Sequence, residues 1–532
     1  MRTSHCIVGL KALFLLGLAA CGGGDDGGFG GGGGGAITYT PGTFRPFAEF
    51  ADQCETPRTG FDPFTNQRYP DVKGSLLAEK HFLRSWTDSL YLWYSEVTDR
   101  DPASVAGVTD YFNLLKTTAV RPSGRSKDEF HFTYDTAAYQ ALVTSGAQLG
   151  YGISWALIDG APTPPLGRQM YVQYVQPGTV AASSGVVRGM RLVSIDGIDV
   201  LFVANVTALN AALFDPAVNS THTLVFADRN DPNTTSSKQL PATNVSFDAV
   251  PVVSTQQTAA GKVGYLLFND HNRPSEAALM GAIQQLKTEN VTELVLDLRY
   301  NGGGYLDIAS SLAYMIAGPA RTNGKTFELV QFNGRHPTTN PVTGQAIAPV
   351  PFHANGRGFS VPTSTALPSL DLARVYVLTS DNTCSASEAV INGLRGVGVT
   401  VHQIGGTTCG KPYGFYARDN CGTTYFSIQF RGVNDVGFGD YAEGFSATRA
   451  GGEPLANLPG CAAHDDLKHD LGDAAEGQFG VALGYLVTGA CPVQPNAGRV
   501  SAQAATAELT PMQESQLLRV PFEPWRTNRI LQ

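Results

Sequence analysis

Residues 291–304 read VTELVLDLRYNGGG. The run from Val291 to Leu298 is short and apolar on both of its alternating faces, and it stops at a glycine turn, Asn301 to Gly304. That pattern predicts a strand covered on both sides, as in a parallel sheet. Its neighbours repeat the theme. Lys262 to Phe268 and Ala373 to Thr379 read as strands, while Pro274 to Asn290, Gly304 to Gly318 and Ser385 to Gly396 carry helical spacing. Alternation of this kind predicts a mixed α/β domain with a mostly parallel sheet over residues 246–495.

Upstream, the pattern changes twice. Phe82, Trp86, Leu90, Trp93 and Tyr94 recur every three or four residues from Lys80 to Tyr94, which predicts an amphipathic helix in a small helical N-terminal region, 36–145. From 146 to 245 short strands and turns follow one another. Gly150-Tyr151-Gly152-Ile153 is a glycine-bracketed turn, Met170 to Val175 a strand, Val180 to Ser184 a short helix, and Asp196-Gly197 a turn. This order resembles a PDZ domain, whose glycine-bracketed loop offers backbone N–H groups to a peptide carboxylate while the peptide adds as a strand. The resemblance implies peptide binding at Gly150, Tyr151, Gly152 and Ile153. Met190 departs from it, standing where an acidic residue is common.

The first residues read as an address. Arg2 and Lys11 precede a short apolar run ending in Leu18-Ala19-Ala20-Cys21, too short to span a bilayer. It resembles a bacterial lipoprotein signal, with 1–20 removed, Cys21 lipidated and the glycine-rich 21–35 as a tether. The expectation is a lipid-anchored protein of the bacterial cell envelope facing the periplasm, or an exported one. Cys54, Cys384, Cys409, Cys421, Cys461 and Cys491 then form an even set, which in an exported chain predicts three disulfides. Cys409 with Cys421 and Cys461 with Cys491 are the pairings that close short loops. No pair has zinc-ligand spacing, so neither a metal nor a cofactor is expected. Acidic residues outnumber basic ones 46 to 37, without a basic stretch carrying interleaved aromatics, which argues against nucleic acid as a partner. Residues 496–532 read as a tail.

Three segments carry chemistry. After the strand ending at Thr379, the polar turn Ser380 to Thr383 leads to Cys384-Ser385-Ala386-Ser387-Glu388 at the start of a helix. A serine there faces free N–H groups and the positive end of the helix dipole; the plainer alternative is a capping box with Glu388. Lys411 follows a strand, Val399 to Ile404, and the turn GGTTCG. A desolvated lysine can serve as base for a serine hydroxyl, whereas a solvated loop lysine would do nothing. The NGGG turn lets backbone N–H groups approach a reacting carbonyl; it lacks the patterns that cradle nucleotide phosphates. A sugar hydrolase using Asp297, Asp307 or Glu388 would need paired carboxylates across a cleft. Asp297, two residues before Arg299 in a buried run, suits an internal salt bridge better.

In this order, and behind a PDZ-like module, DLRYNGGG, CSASE and TTCGK resemble the C-terminal processing peptidases and their tricorn-core relatives. The resemblance implies an αββ-type peptidase core and a serine endopeptidase acting on protein or peptide substrates. It makes Ser385 the nucleophile, Lys411 the general base, and Ala386 with Gly303 or Gly304 the oxyanion hole; Glu388 matches a supporting carboxylate. Many members carry a glutamine four residues after the lysine, where this chain has Phe415. Tricorn-type relatives use a histidine as base, for which His271 is the candidate. A peptide-binding scaffold that has lost catalysis is the alternative this departure keeps open.

Overall fold

A computed structural model describes residues 37–160, 167–200, 207–214, 216–447 and 456–492, with the pair 528–529. The expected signal, Cys21, the tether and nearly all of the tail lie outside these residues. Tyr39–Gln532 forms one unit by its internal contacts. Among the described residues no helix is long and apolar enough to cross a membrane.

The N-terminal region holds helix α1 (Leu76–Leu90), which Ser75 caps through its hydroxyl to Ala78 N–H. Phe82 and Trp86 are buried on its inner face. Strand β1 (Phe132–Asp135) and helix α2 (Thr136–Ser145) follow. The next strands are β2 (Ala147–Gly150), β3 (Ile153–Gly160), β4 (Gly167–Val175) and β5 (Arg191–Ile195). After them come helix α3 (Thr207–Phe214), β6 (Thr221–Ala227), β7 (Thr235–Pro241) and β8 (Thr243–Ser246). Antiparallel pairing gives the order β7-β6-β5-β4-β3, with β3 at an edge, and a separate ribbon in which β2 pairs β8. Entry and exit strands are thus neighbours, and the 151–242 segment is inserted between them with its own apolar core.

The second sheet is built from β9 (Val252–Thr258), β10 (Gly261–Leu267), β11 (Glu293–Asp297), β12 (Arg374–Thr379), β13 (Thr400–Gly405) and β14 (Gly460–Cys461), in that spatial order. Only β9 pairs antiparallel; every other neighbour is parallel. All five residues of β11 are buried. The reason is two-sided cover. Helices α4 (Ser275–Thr288), α5 (Leu306–Ala317) and α6 (Ala386–Gly396) pack one face, and α7 (Gly477–Thr488) packs the other through Phe479 and Ala482. The mixed α/β class expected from the alternation is the one observed.

At the carboxyl end of β11 lies a buried charge network. Arg299 is fully buried and bonds Asp297, Asp465 and Glu476, the last through two bonds of 2.6 and 2.9 Å. Asp297 therefore makes the internal salt bridge expected of it, and Tyr265 also donates to it at 2.6 Å. Arg188, from the inserted segment, joins the network through Asp465 and Tyr300. Burial alone would raise the Asp465 carboxyl, but the two guanidinium groups hold it below the usual range.

Three disulfides form, and one expected pairing is wrong. Cys461–Cys491 is present, but Cys409 pairs with Cys384, and Cys421 with Cys54. Cys421 sits at the tip of a hairpin, 418–426, whose second strand pairs with β1, so it faces the N-terminal region rather than the lysine loop. Cys409 is drawn to the helix start, where its N–H bonds Thr383 O at 3.0 Å.

Candidate active site

The loop after β12 is bound to the loop after β11 along its length. Ser380 Oγ donates to Arg299 O, Thr383 Oγ1 to Leu298 O, and both Cys384 N–H and Ser387 Oγ to Asn301 O. These bonds bring the NGGG turn under the start of α6. Ser385 there has φ 62° and ψ −118°, a conformation that a residue with a Cβ adopts only when its surroundings impose it, at about 1–3 kcal/mol. Gly303 makes the approach possible. A Cβ on it would stand 2.7 Å from Ser385 Cβ and 2.9 Å from Ala386 N.

Ser385 is fully buried, and its Oγ has no hydrogen-bond partner among the described residues. Glu388 completes a capping box at this helix start, its Oε2 accepting the Ser385 N–H at 3.0 Å. The same Oε2 accepts the Lys411 N–H at 2.8 Å, and Oε1 accepts Gly410 N–H at 2.9 Å and Thr408 Oγ1 at 2.5 Å. Burial raises this carboxyl above its ordinary range, opposed by the four donors around it. Cys384, Cys409 and Glu388 lie close enough to share a metal ion. The two sulfurs are joined, however, and both carboxylate oxygens already face donors.

Lys411 is fully buried, and its Nζ lies 4.6 Å from the ring centroid of Phe415 and 4.6 Å from that of Phe130. Phe415 is the residue found in place of the expected glutamine. Phe130 comes from the N-terminal region just before β1, where Arg121 and Arg125 also reach the carbonyls of Gly410 and Cys409. Nothing in the local sequence marks Phe130, because its role depends on a contact across 281 positions of chain.

His271 is buried against the turn. Its N–H donates to Gly303 O, its carbonyl accepts from Tyr305 N–H, and Nδ1 lies 3.0 Å from Asn301 Oδ1. Asn301 Nδ2 donates to Phe268 O and Oδ1 accepts the Gly303 N–H at 2.9 Å, so Oδ1 is an acceptor toward His271 as well. Nδ1 is therefore the donor in that bond. Gly303 is then an oxyanion donor only if it releases Asn301.

In the inserted segment, Gly152 has φ 76° and its carbonyl accepts from Gln176 N–H, which turns the chain into edge strand β3. Gly150 ends β2. Tyr151 and Ile153 are buried, and Tyr151 OH donates to Ala212 O of α3 at 2.6 Å. A cavity of about 120 Å³ separates the start of β3 from the second sheet; Ile153, Ser154, Trp155, Asp270 and Tyr300 line it.

Residues 262–414 match the model of Peptidase family S41, a span that contains His271, the NGGG turn, Ser385, Glu388 and Lys411. The chain carries a peptidase family S41 domain. It is 27% identical over 184 residues to a chloroplastic C-terminal processing peptidase of Tetradesmus obliquus, covering 32% of this chain and 38% of that protein. It is 31% identical over 169 residues to the chloroplastic carboxyl-terminal-processing peptidase 2 of Arabidopsis thaliana, covering 30% of this chain and 31% of that one. The chain thus spans less than two fifths of either relative. A crystal structure of a candidate S41 protease from Bacteroides fragilis NCTC 9343 superposes with a TM-score of 0.56 at 21% identity, over 79% of this chain and 99% of that one, and shares the fold.

Proposed function

We propose that this S41 protein is a serine endopeptidase that works through a Ser385/Lys411 dyad and an acyl-enzyme. One observation carries the reading: a single carboxylate oxygen, Glu388 Oε2, holds the backbone N–H of both residues at the head of α6. Ser385 Oγ attacks a peptide carbonyl, Lys411 Nζ takes its proton and passes it to the leaving amine, and water releases the acyl group. Ala386 N–H stabilises the oxyanion, with Gly303 or Gly304 as second donor. The inserted segment acts as a PDZ-like module that presents exported protein substrates through Gly150 to Ile153, and Cys21 anchors the protein in the cell envelope.

A second reading takes His271 as the base, favoured by its Nδ1 bond to Asn301. The test compares unfolded casein cleavage by wild type, Ser385→Ala, Lys411→Ala and His271→Ala. The dyad predicts loss in the serine and lysine variants. Full rate in Lys411→Ala with loss in His271→Ala hands the role to histidine; equal cleavage by wild type and Ser385→Ala removes Ser385 as nucleophile, and no cleavage by either leaves a binding scaffold.

A further inference from the structure

We infer that Phe130 and Phe415 are positioning residues for the Lys411 amine, their ring faces stabilising the ammonium that forms when Ser385 gives up its proton. This rests on the Ser385/Lys411 reading. Both centroids lie within the distance at which a ring attracts a cation, and they do so from two separate parts of the chain. Phe415, Phe130 and Lys411 are all buried, so water screens the attraction little.

The rings are held in place. Phe415 meets Phe426 edge-on at 5.2 Å and Phe132 at 6.2 Å, and Phe132 stacks on Phe426 at 4.3 Å. Phe130 is fixed by its own N–H, which donates to Asp128 Oδ1 at 2.9 Å. Both phenylalanines belong to one apolar cluster with the Cys384–Cys409 disulfide.

The chemistry favours rings over hydrogen-bond donors. A base lysine is neutral before the reaction and an ammonium in the transition state, and only interactions stronger in the transition state raise turnover. A ring face attracts the cation through its quadrupole and donates no proton, so it does not occupy the lone pair that must accept the serine proton. Phe415, at the position of the expected glutamine, thereby offers a ring face selective for the charged form.

The test measures acylation of Ser385 by an activated peptide ester, in the full-length protein, for wild type, Phe415→Leu, Phe130→Leu and Phe415→Trp. A fifth protein carries trifluorophenylalanine at 415, which keeps the ring's shape and cancels its quadrupole. The expected result is a fall in kcat of about tenfold to thirtyfold in the leucine and fluorinated proteins, with KM unchanged and activity restored by tryptophan. If the leucine variants fail to fold, the fluorinated protein decides alone. Full kcat in the fluorinated protein, with Ser385→Ala and Lys411→Ala inactive, overturns the ring assignment and leaves the dyad standing. No acylation of wild type overturns the dyad and the ring assignment together.

Discussion

Ser385 and Lys411 donate their backbone N–H groups to the same atom, Glu388 Oε2, at 3.0 and 2.8 Å. The proposed nucleophile and base are thus positioned by one buried carboxylate through the main chain. Glu388→Gln keeps the shape but gives one side of the group an amide that faces donors. Two of the four donors then lose their acceptor. We expect a stability loss of roughly 2–4 kcal/mol and a fall in kcat exceeding what the unfolded fraction explains. Urea titration and casein cleavage check it; wild-type turnover in a folded Gln variant would mean the carboxylate positions neither residue.

The Cys384–Cys409 disulfide is a covalent copy of the same link, joining the residue before the serine to the lysine loop across 25 positions. Replacing both cysteines with alanine should cost about 3 kcal/mol of stability. Because Ser385 holds a positive φ imposed by its neighbours, kcat should also fall, by about tenfold or more. Dithiothreitol treatment of wild type should lower activity in step with reduction of this pair, followed by thiol mass mapping. Retention of full activity after the pair is reduced would contradict the idea.

The segments of the candidate site were legible because each carries a local pattern: a glycine turn after a buried strand, a serine at a helix start, a lysine after a strand. Element ends were less so. The helix expected from Gly304 begins at Leu306, since Gly304 is drawn into a bridge with His271. What could not be read was long-range partnership. Cys54 with Cys421 and Phe130 with Lys411 have no local signal, because the contact is made by the packing of the N-terminal region on the lysine loop. Glu388 was legible as a capping-box acid, but its bonds to Thr408, Gly410 and Lys411 were not.

Glu476 should prove a keystone of stability. It takes two bonds from the buried Arg299 and caps α7 by accepting the Phe479 N–H at 2.9 Å. Glu476→Ala leaves a buried guanidinium with less compensation, and a loss of about 3–5 kcal/mol is expected. Since Arg299 O also holds Ser380 Oγ, labelling of Ser385 by a fluorophosphonate should weaken in parallel. A loss below about 1 kcal/mol in urea would mean that the remaining carboxylates, Asp297 and Asp465, suffice for Arg299.

Glu328 makes a prediction about pH. Its strand, 326–332, pairs with residues 430–433, and Gly432, opposite Val330, has no side chain and so leaves room for the Glu328 carboxyl. Burial pushes this carboxyl up to about 8, and its Oε1 has no hydrogen-bond partner among the described residues. An unfolded glutamate titrates near about 4.3. Between these values the native state keeps a proton that the unfolded chain releases, so stability falls as pH rises and levels off above about 8. The slope approaches roughly 1.4 kcal/mol per pH unit for one such group. Glu328→Gln carries no titrating proton and should remove that part of the slope, matching wild type near the unfolded value and exceeding it at alkaline pH. Urea unfolding of both proteins from acid to mildly alkaline pH checks this, and parallel curves across the range would show that Glu328 is ionised and accommodated in the folded protein.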